Sequence, residues 1–242
     1  MHLTVVGCSP AWPNPGGAHS GYLVEDSSRL LLDCGPGVLA RLRERDAGWP
    51  QVASIAITHW HLDHWGDLVP WVWGNMFGLG REAERPELWV PPGGASVLSR
   101  FGEQLGTPSM FEHVFRVAEY AEGEPFATAA GLQVTTTRLP HYMIETYGMR
   151  VTNSDRTLAY SGDSAPTERL AELARDADLF VCEATLAAGE LDDEPRGHLS
   201  AEEAVAAFDA SGARRLLITH RPDELKAPDG VELAHDGLAV DV

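Results

Sequence analysis

The segment Thr58–Asp67 reads THWHLDHWGD and sets three histidines and two aspartates within ten residues. It continues an apolar run, ASIAIT at 53–58, that reads as a strand. Alternate side chains of an extended chain share a face, so His59 and His61 point the same way. Trp60 and Leu62 are then expected to point the other way, into the core. Asp63 and His64 fall where the chain turns into the next helix, and can face a second point nearby. One segment thus offers two ligands to one metal and two to another, in the imidazole–carboxylate mixture that zinc and similar ions favour. A single histidine here would ordinarily be a core residue satisfied by a hydrogen bond. Four clustered polar groups left unpaired would cost too much to bury.

Four protein ligands cannot serve two metals, so other parts of the chain are expected to contribute. Three candidates each end an apolar run and precede a loop: His141 in RLPHY, Asp163 in AYSGDS and His220 in LLITH. Loops at strand ends are where side chains from separate strands converge.

The rest of the chain reads as α/β. Strands are expected at LTVVG, YLVE, RLLLD, ELWV, LQVTTTRL, YGMRVTN, TLAYSG, LFVCEA and RRLLIT. Ser9–Gly17, rich in Pro and Gly, reads as a loop after the first strand. Helices are expected over Val38–Arg45, at DLVPWVWGNMF with Pro70 in its first turn or at a kink, at PTERLAELARD and at SAEEAVAAFDASG. The last of these opens with Ser200 and has Glu203 three residues on, the capping-box pattern. Strand pairs at the front and strand–helix alternation at the back predict two mixed sheets with outer helices in a single domain over residues 1–242.

Composition narrows the function classes. The 242 residues are 44% hydrophobic and 22% charged, as in a globular protein, and the formal net charge is −18. Such a surface repels phosphate backbones and argues against long nucleic acids as partners. A small anionic substrate held by metal ions stays compatible with it, because a local divalent charge outweighs a diffuse field. There is no basic leader before an apolar core and no apolar run of about 18 residues, so neither export nor a membrane span is expected. Three scattered cysteines, Cys8, Cys34 and Cys182, suit reduced thiols and a cytoplasmic location. A homodimer is left open.

The series HxHxDH, then a His, an Asp and a final His, resembles the metallo-β-lactamase superfamily over nearly the whole chain, from VVGCS to LLITH. The resemblance implies a four-layer αββα sandwich. It implies that His59, His61 and His141 hold a first divalent metal and that Asp63, His64 and His220 hold a second, with Asp163 bridging. Zinc is the first expectation and manganese the second. Asp33, in LLLDCGPG, matches the superfamily's early aspartate, which supports the metal loop from behind. A water shared by two metals about 3.5 Å apart would attack the substrate, with Asp63 able to aim it.

Two features select a branch. Asp163 is a carboxylate where many true β-lactamases carry a cysteine, which disfavours antibiotic hydrolysis. Glu183 and His198, in CEATLAAGELDDEPRGHLS, are similar to residues of the tRNase Z group; the resemblance makes His198 the proton donor to the leaving oxygen and Glu183 the residue that orients it. From His141 to Asp163 the chain advances only 22 positions, too few for the long tRNA-binding arm of that group. The expectation is therefore an arm-less phosphodiesterase for small phosphodiesters such as cyclic nucleotides. The alternatives are a tRNase Z-like ribonuclease, a thioester or lactone hydrolase, and a metal-bearing cofactor-biosynthesis or binding protein. The tryptophan-rich stretch 65–82 could wall the pocket; core packing is the commoner use of such a stripe, with Trp65 the candidate to contact a base or acyl group.

Overall fold

The computed structural model describes residues 1–44, 49–189, 192, 194–226 and 229–242. The first sheet contains β1 (His2–Gly7), β2 (Gly21–Glu25), β3 (Arg29–Leu32), β4 (Ser54–Ala56), β5 (Glu87–Val90), β6 (Arg116–Glu119) and β14 (Ala239–Asp241), in the order β14-β1-β2-β3-β4-β5-β6. The second contains β7 (Phe126–Ala127), β8 (Gln133–His141), β9 (Ile144–Thr152), β10 (Thr157–Tyr160), β11 (Leu179–Glu183), β12 (Leu216–Thr219) and β13 (Glu232–Leu233), in the order β13-β12-β11-β10-β9-β8-β7. Each sheet is antiparallel in one half and parallel in the other: β14 to β3 and β7 to β10 pair antiparallel, β3 to β6 and β10 to β13 parallel.

Parallel neighbours need crossovers, and the crossovers supply the helices. Over the first sheet lie α1 (Val38–Arg43), α2 (Leu62–Trp65), α3 (Leu68–Phe77), α4 (Gly94–Gln104) and α5 (Met110–Val114); over the second lie α6 (Arg169–Leu173) and α7 (Ala201–Ser211). Strand alternation then divides the core into three layers. Leu30 and Leu32 of β3 meet Leu158 and Tyr160 of β10 between the sheets. Leu31 faces Leu42 and Trp71 on the first helical layer, and Ala159 faces Leu170 and Ala204 on the second. Three apolar layers between four layers of elements make the αββα sandwich.

Several expectations need correction. The helix expected over Val38–Arg45 ends at Arg43, with Glu44 as its cap, and Arg45 lies outside the described residues. The helix at PTERLAELARD is only α6, because the chain leaves the helix and turns left-handed at Asp176 (φ 52°). Helices α4 and α5 were not foreseen, since PPGG at 91–94 reads as a loop. Gly94 is needed there because a Cβ would lie 2.7 Å from the Trp60 ring. Pro70 is accommodated in the first turn of α3, where its missing N–H costs nothing. The capping box at Ser200 and Glu203 forms on both sides.

Candidate metal centre

Four expected ligands and the expected positioning residue Glu183 sit where strands end along one edge of the sandwich. His59 follows β4, His141 closes β8, Asp163 follows β10, Glu183 closes β11 and His220 follows β12. His61 caps α2 in an extended conformation, which lets Asp63 and His64 enter on its single turn. Gly35 makes this turn possible: a Cβ there would lie 1.9 Å from the Asp63 carbonyl oxygen.

The side chains gather in two groups sharing one residue. His59, His61, His141 and Asp163 offer ligand atoms within 4.8 Å of one another, and so do Asp63, His64, Asp163 and His220. Asp163 turns one oxygen to each. Its Oδ2 is 3.7 Å from Nε2 of both His59 and His141, while its Oδ1 is 3.3 Å from Nε2 of His64 and 3.7 Å from that of His220. Both oxygens of Asp163, with Nε2 of His59 and of His64, are buried without a hydrogen-bond partner among the described residues. Polar atoms converging unpaired in a core are costly, and a cation between them removes that cost.

The opposite ring nitrogens are tied down, which fixes what faces the centre. Nδ1–H of His64 donates to Asp33 at 2.7 Å, that of His141 to the Gly197 carbonyl at 2.6 Å, and that of His220 to the Thr185 hydroxyl at 2.8 Å. Asp33 is fully buried and also accepts from Thr58 N–H and the Tyr160 hydroxyl, both at 2.8 Å. Burial holds the imidazoles of His59, His61 and His141 below their usual pKa, so they present lone pairs rather than protons. Nδ1 of His61 and Nε2 of His141 face each other at 3.0 Å, an arrangement an ion between them satisfies. Asp33 and His220 both have left-handed backbones (φ 58° and 52°), strain of the kind that collects at functional sites.

A model described as the β-lactamase superfamily domain matches residues 28–221. The chain belongs to this superfamily. An uncharacterized protein of Mycobacterium leprae, ML1173, is 35% identical over 92% of this chain and 78% of its own length. A ribonuclease Z of Mycobacterium bovis is 28% identical over 91% of this chain and 85% of its own. The crystal structure of YhfI from Bacillus subtilis, a metallo-β-lactamase fold protein, superposes with a TM-score of 0.84 at 22% identity, covering 99% of both chains. As a metallo-hydrolase of the β-lactamase superfamily, the chain has a fold that implies divalent metal ions, and the two groups above fit them in donor type and burial.

Beside the two groups stands a third: Glu183, His198 and His220. Nδ1 of His198 is 3.0 Å from Glu183 Oε1, so its Nε2 is left for the cavity it lines. Burial opposes the imidazolium, but the Glu183 carboxylate outweighs it and raises the His198 pKa to about 9. Glu183 is itself buried and accepts from the N–H groups of Ser164, Thr185 and Leu199. The cavity, of 960 Å³, also reaches Asp63 and Asp163.

Sequence reasoning missed some residues here and misplaced others. Leu62 does not enter the core but lines the cavity and is 59% exposed, whereas the half-buried Trp60 packs against the first helical layer and also lines the cavity. The short α2 turns Leu62 outward. Trp65 is instead a core residue, packed on Trp60 and Phe101 and absent from the cavity lining. Thr185 was overlooked, although it links His220 to Glu183, whose Oε2 accepts from its hydroxyl at 3.0 Å. Tyr142 was overlooked too; its ring packs against His141 and His198 and its hydroxyl donates to Asp192. Neither type of residue announces itself in a sequence by period or charge.

Proposed function

We propose that the chain is a two-metal phosphodiesterase that hydrolyses small phosphodiesters, cyclic nucleotides first among them. The observation that carries this reading is the Glu183–His198 pair at 3.0 Å, whose histidine lines the cavity beside the two ligand groups. A phosphodiester expels a basic alkoxide and gains from a proton donor at the leaving oxygen; a thioester or an activated lactone gains less. The phosphodiester chemistry named for the ribonuclease Z relative supports the same reading.

His59, His61, His141 and Asp163 would hold one cation, and Asp63, His64, His220 and Asp163 the other. Bound there, two divalent cations, zinc in this reading, supply an activated water and neutralise charge on the non-bridging oxygens. Asp63, buried apart from its face to the cavity, accepts a hydrogen bond from the attacking water and aims it. His198 gives its Nε2 proton to the leaving oxygen, which departs as an alcohol. Glu183 holds the ring at Nδ1, and Thr185 fixes the second carboxylate oxygen. The three buried cysteines are all free, in keeping with a reducing cytoplasm.

Zinc- and manganese-loaded protein screened against bis-p-nitrophenyl phosphate, cyclic nucleotides, thioesters and lactones tests the reading. Phosphodiester turnover well above the others is expected. Preferential lactone or thioester turnover would replace it.

A further inference from the structure

The same cavity carries a second set of features that the reaction does not use. Its walls away from the two ligand groups are largely apolar, with Trp12, Trp60, Leu62, Leu186, Pro222 and Leu225 among the lining residues. Among the described residues no Lys or Arg side chain lines it, whereas Asp192 and Glu224 do. The two arginines in the flanking segments are occupied elsewhere. Arg221 donates to the carbonyls of Ala184, Leu186 and Lys226, and Arg196 forms a two-point pair with Glu203 at 2.8 Å each.

Trp12 is 53% exposed, on the loop joining β1 to β2, between Pro10 and Pro13. Prolines remove backbone freedom, and Asn14 pins this loop across the cavity mouth. Its side-chain amide donates to the Arg221 carbonyl at 3.0 Å and accepts from Asp223 N–H at 3.0 Å. An indole held stiffly in the open over a cavity is arranged to receive a flat partner.

We infer that Trp12 is the platform for the nucleobase of a singly charged phosphodiester, and that Glu224, on the wall away from His198, disfavours substrates with a second phosphate. This rests on the phosphodiesterase reading and names its substrate class. The diester sits at the metal groups, where its one charge is neutralised. The base, set off by the sugar, lies on the indole. A further phosphate would meet the Glu224 carboxylate, with no Lys or Arg among the described lining residues to balance it.

Kinetics of the metal-loaded full chain with matched substrates test both halves. Stacking on an aromatic ring is worth about tenfold or more in binding. Trp12→Ala should lower the kcat/KM preference for adenosine 3′,5′-cyclic phosphate over the base-less glycerol 1,2-cyclic phosphate by that factor, through KM. Trp12→Phe should restore most of it. An unchanged preference overturns the platform, as does an equal loss on both substrates. The wild type should favour adenylyl-(3′→5′)-adenosine over its 5′-phosphorylated form about tenfold or more, and Glu224→Gln should narrow the gap; equal rates overturn the charge filter. Calorimetric affinity for the slowly hydrolysed cyclic phosphorothioate of adenosine gives a readout independent of turnover, and absence of a Trp12 effect there also overturns the platform. Failure of the wild type on bis-p-nitrophenyl phosphate would instead strike the phosphodiesterase reading itself.

Discussion

His198 differs from its neighbours in having a partner for one ring nitrogen and open space at the other. Glu183 holds Nδ1 at 3.0 Å, and the ring is outside both four-residue groups that could take a metal. His198→Ala should therefore keep its metals and lose about 10²–10⁴-fold in kcat. The loss should shrink for p-nitrophenyl esters, whose leaving group needs no proton. Equal losses on poor and good leaving groups, or loss of a metal, would remove His198 as proton donor. The same residue sets a pH dependence. Only the protonated ring can donate, so kcat falls as pH rises through its pKa, which Glu183 raises and a bound cation would lower. In Glu183→Gln the falling limb should move to lower pH; a limb that stays in place would show that another group sets it. The HxHxDH cluster was legible from its spacing, whereas the roles expected of His141, Asp163, His220 and His198 came from the resemblance to the superfamily. Trp12 and Thr185 were not legible, because a tryptophan among prolines and a threonine after a strand are ordinary by themselves.

At the scale of elements, the apolar strands were read well and the short helices poorly. Strands such as LFVCE and LLIT are buried along their whole length, so their composition alone marks them. The α2 turn has four residues and no periodicity to detect, and it reversed the expected direction of Leu62. Helix α7 was legible because its start is written in a capping box. The Ser200 hydroxyl accepts from Glu203 N–H at 3.3 Å and the Glu203 carboxylate from Ser200 N–H at 2.8 Å. Ser200→Ala should cost about 1 kcal/mol of stability, read from the denaturant midpoint. No change would mean that Glu203, also paired with Arg196, keeps the helix start unaided.

At the scale of the molecule, two sheets bring the ends of β4, β8, β10, β11 and β12 to one edge, and the metal groups form there and not within either sheet. The chain surrounding them carries a net charge of −18. The stretch where the tRNase Z group carries its arm is filled by β9 and β10. Precursor tRNA should accordingly bind weakly and be cut poorly at physiological salt, as measured by trailer cleavage; efficient, site-specific trimming would favour the ribonuclease reading over the small-substrate one. The proposed pair of cation sites shares Asp163, whose two oxygens face opposite groups. Elemental analysis of the metal-saturated chain should find two equivalents per chain, and saturation at one would rule the shared arrangement out.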